Sequence, residues 1–246
     1  MRRKSGVLFV CLNALGIVYA QASFEVASIK LHPEPITMSA DPAVHGSMVT
    51  ATASTLVDVI EVAYDVRGDQ IVGASGWVQS SHWDIAAKAQ AEGTITKAQL
   101  RQMLQTLLAD RFQLKIHRET KEVPVFALVV GKNGPKFQAS SPDATGGYTV
   151  RGTSTGMHME AKKGTMEQLT RQLVFSAGRP VLDRTGLPGY YAFTLDWISE
   201  NATPPPDSNV PAIFTAVQEQ LGLKLEPTKG PIEMLVIDHV EKPSGN

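Results

Sequence analysis

The stretch GSMVTATASTL at residues 46–56 returns in pattern as GMHMEAKKGTM at residues 156–166, 110 positions later. A glycine, two alternate apolar residues and a threonine followed by an apolar residue occupy matching places in both stretches. An internal repeat bears on the whole fold, because it sets the size of the folding unit. The recurrence predicts that the chain contains two related modules.

The same separation holds further along the chain without a gap. Ile71-Val72 aligns with Val181-Leu182, and Trp83-Asp84-Ile85 aligns with Phe193-Thr194-Leu195. A deletion of three residues then brings the later parts of the two stretches into register. A fixed offset through apolar and turn positions favours duplication, and the alternative is two unrelated α+β stretches that share a period.

Each module has the sequence pattern of a helix that packs one face on a core. Two threonine–glutamine pairs, Thr96 with Gln99 and Thr165 with Gln168, form capping boxes at helix starts. The apolar residues of the first helix in each copy recur at helical spacing. They are Leu56, Val59, Ile60 and Ala63 in one copy and Met166, Leu169, Leu173 and Ala177 in the other.

We expect each module to close with two strands joined by a turn. These strands are 112–118 with 123–131 in the first module, and 223–226 with 232–240 in the second. The predicted fold class is therefore α+β, with two tandem βαββαββ modules whose small mixed sheets pack on two helices each.

The domain organisation follows from these modules and from stretches rich in Gly, Ser and Pro. It comprises a signal peptide at 1–22, an amino-terminal module at 23–131, a linker at 132–147 and a carboxy-terminal module at 148–246. A leading strand, Phe24 to Leu31, stands outside the repeat and is expected at a sheet edge. A Pro-rich insert at 199–209 interrupts the second module.

The amino terminus predicts export. Arg2, Arg3 and Lys4 precede an apolar run that ends in Ala20-Gln21-Ala22, the small-residue pattern of a signal peptidase site. The run is shorter than the roughly 20 apolar residues of a spanning helix, so we expect no membrane span after cleavage. Cys11, the only cysteine, lies within the run. The mature protein is expected to be periplasmic or extracellular, without disulfides or thiol chemistry.

Composition argues against a nucleic-acid partner. The chain has 23 basic and 24 acidic side chains, so it has no net positive field to attract a phosphate backbone. The hydrophobic content of 43% is that of an ordinary globular protein.

The histidines do not have the spacing of a metal site. The six residues are His32, His45, His82, His117, His158 and His239. None pairs with another at helical spacing and no HExxH motif occurs, so we predict neither a metal ion nor a cofactor. His82, His117 and His239 are expected at strand positions, in structural roles.

Other short motifs also favour structural roles, and no catalytic residue is assigned. The nucleophile elbow GxSxG is absent, and Gly73-Ala74-Ser75-Gly76 and Asp183-Arg184-Thr185-Gly186 both resemble turns. Gly131-Lys132-Asn133-Gly134 lacks the complete phosphate-loop motif. The basic residues Arg111, Lys115 and Arg118 near Phe112 are expected on a solvated face, and Asn201-Ala202-Thr203 is a common triplet.

Two resemblances extend these observations. GTMEQLTRQL at 164–173 and AVQEQLGLKL at 216–225 are similar to the short amino-terminal domain of secretins and TonB-dependent signal-transducing receptors. At whole-chain level, FEVASIK at 24–30, LLADRFQLKIHRET at 107–120, RPVLDRTGL at 179–187 and QEQLGLKLEP at 218–227 resemble an uncharacterised, Solibacter-type family of exported acidobacterial proteins. Some members of that family are attached to BlaR-type sensors. The first resemblance implies protein binding, and the second implies export without a known activity.

The sequence therefore favours a non-enzymatic module of the cell envelope that binds a protein or peptide. Small mixed sheets have edges that accept another strand through main-chain hydrogen bonds, and the closing hairpins are the predicted edges. Two alternatives stay open, namely a hydrolase whose site is assembled between the two modules and a small-ligand sensor.

Overall fold

The computed structural model describes residues 23–36, 38–90, 93–141, 143–198 and 210–243. Within them the chain forms two compact units. The first unit takes the chain up to His117 and again from Leu235, and the second comprises Arg118–Met234. The predicted signal peptide with Cys11, the insert at 199–209 and Asn201 lie outside the described residues.

The described residues form a mixed α+β structure with five α-helices and three four-stranded sheets. The helices are α1 (Leu56–Tyr64), α2 (Trp77–Ser80), α3 (Lys97–Phe112), α4 (Met166–Ala177) and α5 (Ile213–Leu221). The strands are β1 (Phe24–Leu31), β2 (Ala40–His45), β3 (Met48–Thr55), β4 (Ile71–Val72), β5 (His82–Ala89), β6 (Lys115–Val130), β7 (Gln138–Ala139), β8 (Tyr148–Gly152), β9 (Met157–Gly164), β10 (Val181–Asp183), β11 (Tyr191–Trp197) and β12 (Leu223–His239). None of the described helices is long and apolar enough to cross a membrane.

The first unit buries one face of a sheet with the strand order β1-β5-β3-β2. Residues from β3, β5, α1 and α3 form its apolar core. Trp83 and Phe112 meet edge to face at its centre, with their rings 5.7 Å apart. β1 is the predicted leading strand, and its expected place at a sheet edge is confirmed.

The second unit has a sheet with the order β7-β11-β9-β8 and a core shared with α4 and α5. Trp197 of β11 is 1% exposed, and its indole N–H donates to the Ser176 hydroxyl of α4 at 2.7 Å. That hydrogen bond satisfies a polar atom that burial would otherwise leave without a partner.

The predicted helix starts are confirmed, because both capping boxes form. Thr96 and Gln99 cap α3, and Thr165 and Gln168 cap α4. Each threonine hydroxyl accepts a hydrogen bond from the glutamine N–H, and each glutamine side chain accepts one from the threonine N–H. Two otherwise unsatisfied donors are thereby bonded at each helix start.

The predicted closing hairpins are wrong, because β6 and β12 are single strands of 16 and 17 residues. A tight hairpin needs residues that accept positive φ, and residues 119–122 are ETKE, without glycine or asparagine. Gly230 is extended within β12, and a Cβ there would lie 2.6 Å from Leu182 Cδ1. That glycine therefore permits close packing instead of a turn, and the arrangement of two tandem βαββαββ modules is not confirmed.

Each unit is completed by residues distant in sequence. In the first unit Leu235 and Val236 of β12 pair in parallel with Ile71 and Val72 of β4. In the second, residues 126–128 of β6 pair in parallel with β10. Leu235 is 1% exposed in the first core and Leu128 is fully buried in the second. The unit boundaries therefore do not coincide with the sequence modules at 23–131 and 148–246.

Asp84 stabilises an irregular turn of β3 in the first unit. Ala53 has φ 47°, a left-handed conformation that is unfavourable for alanine, within a register shift of the β3–β5 pair. The Asp84 carboxylate accepts the Ala53 N–H at 3.0 Å and lies 2.8 Å from His32 Nδ1. Burial raises the pKa of Asp84, but the hydrogen bonds from Ala53 and His32 outweigh it and hold that pKa below its ordinary value of 3.8.

We expect Leu235→Ala to lower the free energy of unfolding of the first unit by about 2–5 kcal/mol, because it leaves a cavity in that core. Amide hydrogen exchange should accelerate in α1 and β3 and stay unchanged in α4 and β9. Leu128→Ala is the matched control and should give the reverse pattern. Faster exchange in α4 after Leu235→Ala, with α1 unaffected, would contradict the assignment of Leu235 to the core of the first unit.

We expect Asp84→Ala to lower the free energy of unfolding by about 1 kcal/mol near neutral pH, since the carboxylate is partly exposed and screened. The folded pKa is depressed, so the contribution is present above the unfolded pKa and is lost as pH falls through the folded value. Urea titrations should therefore show that the difference between wild type and variant narrows as the pH falls below the ordinary aspartate pKa of 3.8. A difference that does not depend on pH rules out the charge as its cause.

Candidate functional site

Four of the six histidines lie beside a carboxylate. The pairs are His32 with Asp84 at 2.8 Å, His117 with Asp238 at 2.8 Å, His158 with Asp196 at 2.7 Å and His239 with Glu241 at 2.9 Å. His82, His117 and His239 occupy strand positions, as predicted. No group of three or more metal-binding side chains occurs in the part of the chain that the structure describes.

The loop Gly131 to Gly134 lies at the carboxyl end of α5. The Gly131 N–H donates to Gly222 O, and the Lys136 N–H donates to Leu221 O, both at 2.9 Å. The carboxyl end of a helix carries partial negative charge, which disfavours a phosphate. The loop therefore helps to cap a helix.

The remaining predicted candidates take local structural roles. The Asp183 carboxylate accepts the Thr185 N–H at 2.9 Å and its hydroxyl at 2.7 Å, as in an Asx turn. Gly76 precedes α2, so Gly73 to Gly76 is a turn. In the basic group, Arg118 pairs with Glu233, and the Arg111 guanidinium donates to Ala27 O at 3.1 Å.

The sheet edges differ in how far they are protected against another strand. Edge strands are commonly blunted by proline, by bulges, by short length or by a covering side chain. β2 contains Pro42 and a register shift, and β7, β4 and β10 have two or three residues. Arg111 reaches the β1 edge at Ala27. β8 has five residues, no proline and an uninterrupted register with β9.

The main-chain groups of alternate β8 residues point away from β9, the one strand that pairs with β8 among the described residues. The Lys162 N–H of β9 donates to Gly147 O at 3.0 Å, just before β8 begins. Because main-chain groups alternate sides along a strand, Gly147, Thr149 and Arg151 face β9. The N–H and C=O groups of Tyr148, Val150 and Gly152 therefore point outward.

The two faces of β8 have different chemistry. Val150 is half-buried and packs against the core of the second unit. On the opposite face Arg151 lies across from His158, whose Nδ1 is 2.7 Å from Asp196. A segment added to this edge would place alternate side chains beside an apolar and a charged surface.

Sequence reasoning missed β8 and chose other edges. The predicted edges, the closing strands, lie inside the sheet order β10-β6-β12-β4, so that prediction is wrong. The available signal was YTVRG at 148–152, a β-branched and aromatic run after Gly146-Gly147. The run is short, and its place at a sheet edge becomes apparent only once the strands beside it are known.

Comparison with known proteins identifies a family and no activity. No curated protein and no solved structure matches the chain, and the similarity to the secretin and receptor domain stays a prediction. Residues 57–240, about three quarters of the sequence, match the family described as a protein of unknown function, DUF3738, and the chain belongs to that family.

Proposed function

We propose that the protein binds an extended segment of another protein or peptide, which adds to β8 as a further strand. The observation that supports the proposal is the regular, proline-free edge at Tyr148–Gly152. Pairing along this edge supplies main-chain hydrogen bonds, and alternate side chains supply specificity. Such binding agrees with the protein-binding role implied by the similarity to the secretin and receptor domain.

We place this binding outside the cytoplasm as part of the same proposal. The basis is the basic start, the apolar run and the A-x-A site within residues 1–22. The partner would then be a component of the cell envelope or a secreted peptide.

The charged face of β8 suggests which segments are preferred. Arg151 is exposed on the same face as His158 and Asp196. Opposite charges in directly paired strand positions attract by roughly 0.2–1 kcal/mol. A bound segment should therefore have an acidic residue opposite Arg151 and an apolar residue opposite Val150.

We expect Val150→Pro to abolish selection of linear peptides from a phage-displayed random heptapeptide library, because it removes an outward N–H. That N–H does not belong to the β8–β9 ladder, so the sheet is retained. The matched control is Val150→Thr, which keeps the N–H and should keep binding. Peptides that bind Val150→Pro as well as wild type would contradict strand addition at β8.

We expect Arg151→Glu to change which peptides are selected. Wild type should enrich Asp or Glu at one fixed position of the heptapeptide, and the variant should enrich Lys or Arg at that position. Thr149→Ser, which changes no charge on the same face, serves as the control. An identical consensus from wild type and Arg151→Glu excludes Arg151 as a determinant.

A further inference from the structure

A second feature lies at the opposite edge of the same sheet and is independent of β8. β7 pairs with β11 only at Tyr191 and Ala192. Further along β11 the side-chain amide of Gln220 takes the place of a strand. It accepts the Asp196 N–H at 2.9 Å and donates to Asp196 O at 2.7 Å. Between β7 and the Gln220 side chain, the edge of β11 has a gap one residue pair long. Thr194 is the β11 residue at this gap.

The main chain of Thr194 faces this gap. The Ser140 N–H donates to Tyr190 O, and Asp196 is bonded to Gln220 on the same side. Alternate residues of a strand direct their main-chain groups to one edge. The Thr194 N–H and C=O therefore point to the same edge as those of Tyr190 and Asp196, toward the gap. A continued ladder would place Lys136 opposite Thr194, but the Lys136 N–H donates to Leu221 O instead.

The gap opens into a cavity of about 560 Å³ within the second unit. Its apolar wall includes Phe137 and Phe193, and its polar wall includes Gln138, Glu160 and Lys162. Ligand pockets commonly have volumes of about 300–1,000 Å³, an apolar lining and a few placed polar groups. The cavity is therefore large enough for a small molecule.

The geometry limits what can pair with Thr194. In an antiparallel ladder, one residue exchanges two hydrogen bonds with a partner whose N–H and C=O flank one α-carbon. The gap is one ladder position long, because β7 and Gln220 occupy the positions on either side of Thr194. The complementary ligand is a single acylated amino acid residue, which cannot continue as a strand in both directions.

The charges around the cavity permit a free carboxylate on that residue. The Lys136 ammonium donates to Glu219 O at 2.7 Å and offsets the partial negative charge at the carboxyl end of α5. Lys162 supplies a second ammonium group beside the carboxylate of Glu160. Lys162 Nζ lies 4.0 Å from Glu160 Oε1 and is largely exposed, so this pair is weak. A ligand carboxylate can accept the Thr194 N–H while the ligand amide N–H donates to Thr194 O.

We propose that the cavity at the β11 edge binds an N-acylated amino acid carboxylate through the main chain of Thr194. Two sources share this chemistry, namely a free N-acyl amino acid and the carboxy-terminal residue of a peptide. The half-buried Phe137 would contact the acyl group or the side chain.

The test is a titration of the ¹⁵N-labelled protein with N-acetylalanine, followed by amide chemical shifts. We expect a saturable shift of the Thr194 amide with a Kd on the order of 1 mM, as befits so small a ligand. O-Acetyllactate, in which an ester oxygen replaces the amide N–H, should bind at least about tenfold more weakly. No shift at Thr194, or equal binding of the two compounds, would overturn the proposal.

Two further arms distinguish the sources. Binding of tetraalanine but not of its carboxy-terminal amide would identify the end of a peptide as an acceptable ligand. Binding of N-acetylalanine alone would restrict the site to free acylated amino acids. Both outcomes support the proposal.

Thr194→Pro removes the N–H that faces the cavity and should abolish binding, with Thr194→Ser as the control that retains it. Amide exchange in wild type provides a measurement that does not depend on the folding of the proline variant. The Thr194 amide should exchange at least about tenfold faster than those of Phe193 and Leu195, which face β9. Equal protection of the three amides would show that the Thr194 N–H is already bonded and would overturn the proposal.

Discussion

The constraint on which the structure depends is the pairing of short strands with partners distant in sequence. Ile71 and Val72 have no parallel neighbour until the chain reaches Leu235, and residues 181–183 pair with a strand that precedes them. Parallel pairing always requires a long connection, because a tight turn cannot join strands that run in one direction. Here the connection includes most of a folding unit, so neither apolar core is complete until both halves of the chain are present.

This constraint also determines which sheet edges are available. β6 and β12 take interior places in their sheet, and proline, short length or Arg111 protects most other edges. The two edges that lack full protection both belong to the sheet of the second unit. β8 offers a regular main chain, and β11 offers a gap at Thr194. The binding that we propose would use main-chain groups at these two edges.

Local patterns in the sequence predicted local structure well. The apolar spacing and capping boxes give α1, α3 and α4, because helix formation depends on residues within one or two turns. The leading strand and the strand positions of three histidines were also correct. The closing hairpins failed because residues 119–122 continue an extended strand. A local pattern does not reveal whether a chain turns back or pairs with a distant strand. β8 and the gap at Thr194 were missed for the same reason, since an edge is defined by the strand that is missing beside it.

The interdependence of the two cores is tested most directly by dividing the chain within the segment 132–147. Residues 23–141 and 143–243 would be prepared separately, then mixed in equal amounts and compared by circular dichroism and amide NMR. We expect each fragment alone to lack a cooperative unfolding transition and the mixture to regain the spectrum of the intact protein. Two fragments that fold independently, with a mixed spectrum equal to the sum of their own, would contradict the interdependence of the cores.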